Sequence, residues 1–267
     1  MFKVLFFGDV VGAIGRQGLV QTLPNLIKKH TPDLIIVNVE NLAHGAGVTL
    51  KTLNELVSAG VDVFTGGNHS WDNPLGRPLF DDPEWKNRLI VPTNYGASKG
   101  GRNAILIEKS GAKILLANVM GRLFTHPDTS SPFEALDRIL KQHETDGPNV
   151  ILVDIHGEAS AEKEAFGHYG DGKVAGVFGS HTHIPTADAK ILPGGTAYVT
   201  DLGRCGAYDS VIGFEKKSVL KRFLGQSSEN YDLPKNGACE VNGVALTLDL
   251  DTGRATHIER IREIVDV

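Results

Sequence analysis

Five short apolar runs in this 267-residue chain each end in a residue able to bind a metal ion. Residues 3–8 run into Asp9, 33–39 into Glu40 and Asn41, and 61–67 into Asn68 and His69. Residues 149–155 run into His156, and 174–180 into His181 and His183. The runs are rich in Val, Ile, Leu and Phe, as strands buried on both faces should be. In an open α/β sheet, ligands bind beyond the carboxyl ends of the strands. The polar residues after these runs are therefore expected to meet. They offer two carboxylates, two carboxamides and four imidazoles, enough for two metal ions.

Helical patterns separate the runs. Residues 12–30 form one, with Pro24 placed to kink or interrupt it. Residues 49–60 form another, with Thr49 as N-cap and Gly60 as stop. Residues 131–145 open on Ser131-Pro132, an N-cap followed by proline at the first helical position. A shorter helix is expected over 159–168. Residues 103–108 and 113–119 read as a hairpin turning at 109–112. In the last third, strands at 189–192 and 196–200 flank Pro193-Gly194-Gly195, and 214–224 reads as a helix. Strands at 238–249 and 255–264 then surround Asp251-Thr252-Gly253. The chain thus starts as parallel α/β and finishes antiparallel. The expected fold class is α/β, a four-layer α/β/β/α sandwich of two packed mixed sheets flanked by helices. The sequence contains no Pro- or Ser-rich linker, repeat or low-complexity tract, and 226–236 is its most loop-like long segment. Residues 1–267 are expected to form a single domain.

With 41% hydrophobic and 22% charged residues, the composition is that of an ordinary globular protein. A formal charge of −5 argues against holding duplex nucleic acid through the net field, while leaving room for a local basic groove. The two cysteines, Cys205 and Cys239, lack CxxC spacing, which excludes a thiolate zinc ribbon. A reducing, cytoplasmic setting is expected. The apolar N-terminus is broken by Gly8-Asp9 and has no basic leader or cleavage site, so it reads as a strand and not as a signal peptide. No stretch approaches the roughly 18 apolar residues of a membrane span, and no membrane partner is expected.

A lone Asp after a strand is often a cap or turn residue, and a lone Asn-His pair says less. The signal lies in their occurring together. Gly67-Asn68-His69, Asp154-Ile155-His156-Gly157-Glu158 and Gly179-Ser180-His181-Thr182-His183 each follow a strand, and the last can give two imidazoles to neighbouring ions. In this order the motifs resemble those of the calcineurin-like metallophosphoesterase superfamily. The usual first motif, Asp-x-His, is replaced by Asp9-Val10-Val11, and the usual second-motif Gly-Asp by Asn38-Val39-Glu40-Asn41. These departures resemble the YmdB-like branch of bacterial phosphodiesterases. So do Glu40-Asn41-Leu42-Ala43-His44-Gly45, Asp154-Ile155-His156-Gly157-Glu158-Ala159 and Thr196-Ala197-Tyr198-Val199-Thr200-Asp201. The resemblance covers nearly the whole chain.

The resemblance implies a ligand set. Asp9, Glu40, Asn41 and His183 would hold one metal; Glu40, Asn68, His156 and His181 would hold the other, with Glu40 bridging. Asn41 would compensate for the missing first-motif histidine. Mixed imidazole and oxygen donors suit Fe or Mn, with Zn also compatible, as two divalent or mixed-valence ions. Two such ions, about 3.5–4 Å apart, clamp the attacking and leaving oxygens of a phosphoryl transfer and lower the pKa of bound water. A bridging hydroxide is then the expected nucleophile. On the family pattern His69 is the catalytic proton donor or stabilises the phosphorane; the plainer reading is a histidine that only packs at the rim. His44 and Arg122 are candidate substrate contacts. Gly12-Ala13-Ile14-Gly15-Arg16 opens a helix and offers N–H groups to a phosphate. Asp154 and Glu158 flank His156 and are placed to orient it. His30, His126, His143, His168 and His257 read as ordinary surface or core histidines.

The expected function is metal-dependent hydrolysis of small phosphate diesters. The resemblance points to 2′,3′-cyclic nucleotides such as 2′,3′-cyclic AMP. A phosphomonoesterase or 5′-nucleotidase on the same site is the rival among enzymes. A regulatory nucleotide- or RNA-binding protein with a vestigial metal site is the rival outside them, and the complete ligand set argues against it. A dinucleotide-binding dehydrogenase would need a GxGxxG after the first strand, which is missing. The expected partner is a small phosphodiester; no stable nucleic-acid complex is expected, and the sequence leaves a homo-oligomer open.

Overall fold

A computed structural model of the protein describes residues 1–96, 98, 100–226 and 230–267. The first run forms β1 (Phe2–Phe7), and β2 (Asp9–Val10) follows directly. Helix α1 (Gly12–His30) then runs through Pro24 without ending there. Proline frees the carbonyl four residues earlier. That residue, Val20, lies on the exposed side of the helix. Next come β3 (Leu34–Asn38), α2 (Leu50–Ser58) and β4 (Val63–Thr65). Thr49 caps α2 by accepting from the Thr52 N–H at 3.2 Å.

The second half opens with β5 (Ala104–Lys109) and β6 (Ala112–Met120), a hairpin turning on Ser110-Gly111. Then follow α3 (Pro132–Gln142), β7 (Val150–His156), α4 (Ser160–Gly170) and β8 (Gly176–Ser180). Ser131 caps α3 through the Glu134 N–H. The chain continues as β9 (Lys190–Ile191), β10 (Ala197–Val199), β11 (Arg204–Ala207), α5 (Lys216–Phe223), β12 (Ala238–Asp249) and β13 (Arg254–Asp266). Of the loop-like segment 226–236, residues 227–229 lie outside the described residues, and the others form no helix or strand. Among the described residues no helix is long and apolar enough to cross a membrane.

The strands form two mixed sheets. The first has the order β2-β11-β12-β1-β3-β4, with β13 on the other edge of β12; the second has the order β5-β6-β7-β8-β10-β9. Phe2, Val4, Phe6 and Leu34 of the first pack on Ile114, Leu152 and Phe178 of the second. The Phe6 and Phe178 rings lie 5.2 Å apart. On the outer side of the first sheet, α1 and α2 contribute Leu19, Leu23, Leu53 and Leu56. On the outer side of the second, α3 and α4 contribute Leu136, Ile139 and Phe166. Each such buried side chain contributes about 1.5–3 kcal/mol. The result is the expected α/β/β/α order of layers.

Two strands depart from the expected antiparallel finish, β11 by pairing in parallel with β2 as well as antiparallel with β12. β10 lies parallel to β8, because the β9–β10 hairpin delivers it to the free edge of β8 running in the same direction. The placement that matters for the site is simpler. β1, β3 and β4 are mutually parallel, as are β7 and β8. The chain leaves all five through their carboxyl ends, where the two sheets meet.

Candidate metal centre

The structure brings the predicted donors together. Glu40, His156 and His181 form one group with donor atoms all within 4.8 Å of one another, and Asp9, Glu40 and His183 form a second. Glu40 belongs to both. The carboxamides join as expected: Asn68 Oδ1 lies 3.1 Å from His156 Nε2, and Asn41 Oδ1 lies 3.0 Å from His183 Nε2. His156 Nε2 also stands 3.1 Å from Glu40 Oε2 and 3.1 Å from His181 Nδ1. Donors about 2.1 Å from one tetrahedral ion stand roughly 3.4 Å apart, so this spacing fits a metal.

Two further observations bear on the fit. Asp9 is fully buried, yet its Oδ1 has no hydrogen-bond partner, while Oδ2 accepts from the His181 N–H at 3.1 Å. A buried, unpaired carboxylate oxygen is costly unless a cation faces it. Gly67 runs so close to the cluster that a Cβ there would collide with both Glu40 Oε2 and His156 Nε2. The glycine in the Gly67-Asn68-His69 motif thus leaves space for the donors.

The local fold orients each donor through its far side. His156 Nδ1 contacts Ser180 Oγ at 2.9 Å, and that hydroxyl donates to Asp154 Oδ1 at 2.6 Å. His183 Nδ1 donates to the Ile212 carbonyl at 2.7 Å. His181 Nε2 lies 3.1 Å from Glu158 Oε2. In each case one ring nitrogen is fixed and the other is turned to the cluster. Asn41 donates from Nδ2 to the Gly45 carbonyl, which aims Oδ1 at His183. His181 and His183 both have positive φ, 97° and 65°, a conformation that costs about 1–3 kcal/mol in a non-glycine residue.

Charge is distributed unevenly. Burial lifts the Asp9 carboxyl to about 6, against the pull of His183 and His156. Burial also works against charge on Glu40, but His156, with His69 and His181, outweighs it and holds that carboxyl well below the usual range. His156 likewise resists burial through Glu40 and rises to about 9. Burial and the neighbouring His156 push His181 down to about 3. The carboxylates of Glu40, Asp9 and Asp154 thus favour positive charge at His156, as they would favour a cation in the same cluster.

His69 sits beside the cluster as expected. Its backbone N–H donates to Glu40 Oε2 at 3.0 Å, and its half-exposed ring holds Asp72 Oδ2 at 2.7 Å through Nδ1. Asp72 was not a sequence candidate; its only signal is the three-residue spacing from His69. Asp154 orients His156 as anticipated, while Glu158 acts on His181 instead. His44 and Arg122 are not brought into the cluster. Both are exposed, His44 with φ 56° in the loop after Asn41, and Arg122 two residues beyond β6. The 12–16 segment opens α1, and Arg16 is taken up by Glu55 and the Leu42 carbonyl.

Asp154 provides a test of this scaffold. It is fully buried and accepts from Asn38 Nδ2, Ser180 Oγ and Thr65 Oγ1. Asp154→Leu would take their acceptor from three buried donors, of which Asn38 Nδ2 keeps the Gly66 carbonyl at 3.1 Å. The expected cost is about 3–5 kcal/mol, since each donor left unpaired costs about 1–3 kcal/mol. That should lower Tm by roughly 6–20 °C. An unchanged melt would show that these contacts do not support the fold.

A family model described as YmdB-like protein matches residues 5–261. The chain is 37% identical over 259 residues to the 2′,3′-cyclic-nucleotide 2′-phosphodiesterase of Bacillus subtilis (strain 168), covering 97% of this chain and 96% of that one. A crystal structure of a phosphatase from Mycoplasma pneumoniae superposes with a TM-score of 0.91 at 35% identity, covering 99% of this chain and 94% of the other. That of a hypothetical protein from Thermus thermophilus does so with a TM-score of 0.89 at 36% identity, covering 98% and 99%.

Proposed function

Because this chain belongs to the YmdB-like family, we propose that it is a metallophosphoesterase hydrolysing small phosphate diesters, 2′,3′-cyclic nucleotides foremost. Its two-sheet sandwich is the calcineurin-like phosphoesterase fold. The observation that carries the reading is the pair of donor groups sharing Glu40. Asp9, Glu40, Asn41 and His183 hold one ion, and Glu40, Asn68, His156 and His181 hold the other. The donor chemistry favours Fe or Mn, with Zn as a third choice. Two bound ions supply Lewis-acid charge to the phosphoryl oxygens and acidify a water.

The chain's own residues do the rest. Asp72 fixes the His69 ring through Nδ1 and leaves Nε2 for the substrate. In the protonated ring, the Nε2–H is the proton passed to the departing ribose oxygen. The His69 N–H holds Glu40 Oε2, tying the proton donor to the metal-binding carboxylate. His44 and Arg122 stand on loops at the strand-end face and are the proposed contacts to base and phosphate. No serine or cysteine nucleophile is required. Cys205 and Cys239 are both free and buried, which fits a reducing cytoplasm. The core between the sheets draws on both halves of the chain, which supports one domain.

The test is substrate choice. With Mn²⁺, kcat/KM for 2′,3′-cyclic AMP should exceed that for 5′-AMP at least about tenfold, ~1.4 kcal/mol in transition-state binding. Duplex RNA should be cut little, because a chain of net charge −5 gives polyanions little long-range attraction. A clear preference for the monoester would turn the assignment to a 5′-nucleotidase on the same centre.

A further inference from the structure

We infer that the buried Lys163–Asp201 ion pair is a positioning device for the metal centre, holding the backbone around Thr182 so that His181 and His183 both face Glu40. The inference rests on the reading of those histidines as metal ligands. Lys163 lies on α4 and Asp201 just beyond β10, and both are 1% exposed. Neither touches the donor atoms themselves. Asp201 closes the Thr196–Asp201 motif, to which the proposed chemistry gives no role.

The contacts converge on one short segment. Lys163 Nζ donates to Asp201 Oδ2 at 2.8 Å and to the Ser180 carbonyl at 3.2 Å. Asp201 Oδ2 also accepts from the Thr182 N–H at 3.1 Å and the Thr182 hydroxyl at 2.8 Å. Its Oδ1 accepts from the Gly203 N–H at 2.8 Å. The peptide before His181 is thus held by lysine through its carbonyl, and the peptide after it by aspartate through its N–H. His181 and His183 on either side of Thr182 are in the left-handed region, which persists only where surroundings impose it. The lysine reaches the segment by passing Gly179, where a Cβ would stand 2.9 Å from Lys163 Cδ.

Stability alone is a weak reason for such a pair. Replacing a buried ion pair by apolar residues of similar volume is often neutral or stabilising, whereas removing one partner is not. What apolar residues cannot do is accept an N–H and a hydroxyl from Thr182 while tethering the Ser180 carbonyl. The pair therefore acts through His181 and His183, and its loss should appear in metal affinity.

Three substitutions in the full-length chain test this: Lys163→Met, Lys163→Arg and Thr182→Val. Mn²⁺ affinity is measured by calorimetric titration after chelator dialysis, with a thermal melt of each protein. Thr182→Val keeps the ion pair and removes the hydroxyl, with its 2.8 Å bond to Asp201 and its longer contacts to the Ile184 backbone, so it reports even if Lys163→Met does not fold. We expect Lys163→Met to weaken Mn²⁺ binding by about 10–100-fold, the scale for residues that orient metal ligands. Thr182→Val should weaken it less, with little change in melting. Lys163→Arg should recover part of the affinity, and excess Mn²⁺ should restore turnover in Lys163→Met. Wild-type Mn²⁺ affinity in Thr182→Val, together with wild-type affinity in folded Lys163→Met, would overturn the inference. A wild-type chain that takes up no Mn²⁺ would remove the metal reading itself, and this inference with it.

Discussion

Glu40→Gln is expected to cost the protein both metal ions and at least about 10³-fold in turnover, some 4 kcal/mol in the barrier. The expectation follows from one side chain serving two donor groups. Glu40 is 1% exposed, so water cannot replace the lost carboxylate oxygen. The amide keeps the shape and removes the charge. It also brings an N–H₂ group into a cluster where His156 Nε2 and the His69 N–H both face Oε2. Asp9 cannot take over, since it belongs to the His183 group and not to the group of His156 and His181. Metal analysis of wild-type and variant protein decides the matter. One tightly held ion in the wild type, retained in the variant with near-normal activity, would end the dinuclear reading.

The strands that build the centre were legible because they are buried on both faces. A strand of that kind is a continuous apolar run, and its end is marked by the first polar residue that water or a ligand must satisfy. Asp9, Glu40, Asn68, His156 and His181 all stand at such ends. Helix boundaries were legible where a cap was local, as at Thr49 and Ser131, whose hydroxyls meet the N–H three residues on. The stretch between β4 and β5 was not legible. Its described residues include two short 3₁₀ turns, Arg77–Phe80 and Trp85–Asn87, and pack Trp71, Phe80 and Trp85 into the core without any periodic pattern. Nor was the parallel pairing of β10 with β8, or of β11 with β2, because two- to four-residue strands take their partners from the tertiary fold.

Within the site, the residues that touch the cluster were readable and those behind it mostly were not. A lysine at position 163 of a helix reads as part of a solvated face; only the fold puts it over Gly179 against Asp201. Ser180 reads as a small strand residue, yet its hydroxyl links Asp154 to His156. Such supports are chosen by three-dimensional proximity and carry no spacing rule. Asp72 is the intermediate case. It lies three residues from His69 in a turn where the Asp72 N–H donates to the His69 carbonyl, so the pairing is local but has no helix or strand to announce it.

That pairing sets the last expectation. If His69 acts only by proton transfer, His69→Ala should retain both metal ions and lose about 10²–10⁴-fold in kcat on 2′,3′-cyclic AMP, the usual scale of general acid–base help. The ring is half exposed and offers no atom to either donor group, so its removal leaves the seven donors in place. The loss should shrink on bis-p-nitrophenyl phosphate, whose nitrophenolate departs without a proton. Asp72→Asn should fall between wild type and His69→Ala, because the amide still contacts Nδ1 but no longer balances a protonated ring. Wild-type rates for His69→Ala on the cyclic nucleotide, where the ribose oxygen is a poor leaving group, would take His69 out of the mechanism. Loss of metal in that variant would make it a ligand instead, and the Gly67-Asn68-His69 motif would then supply two donors where one is proposed.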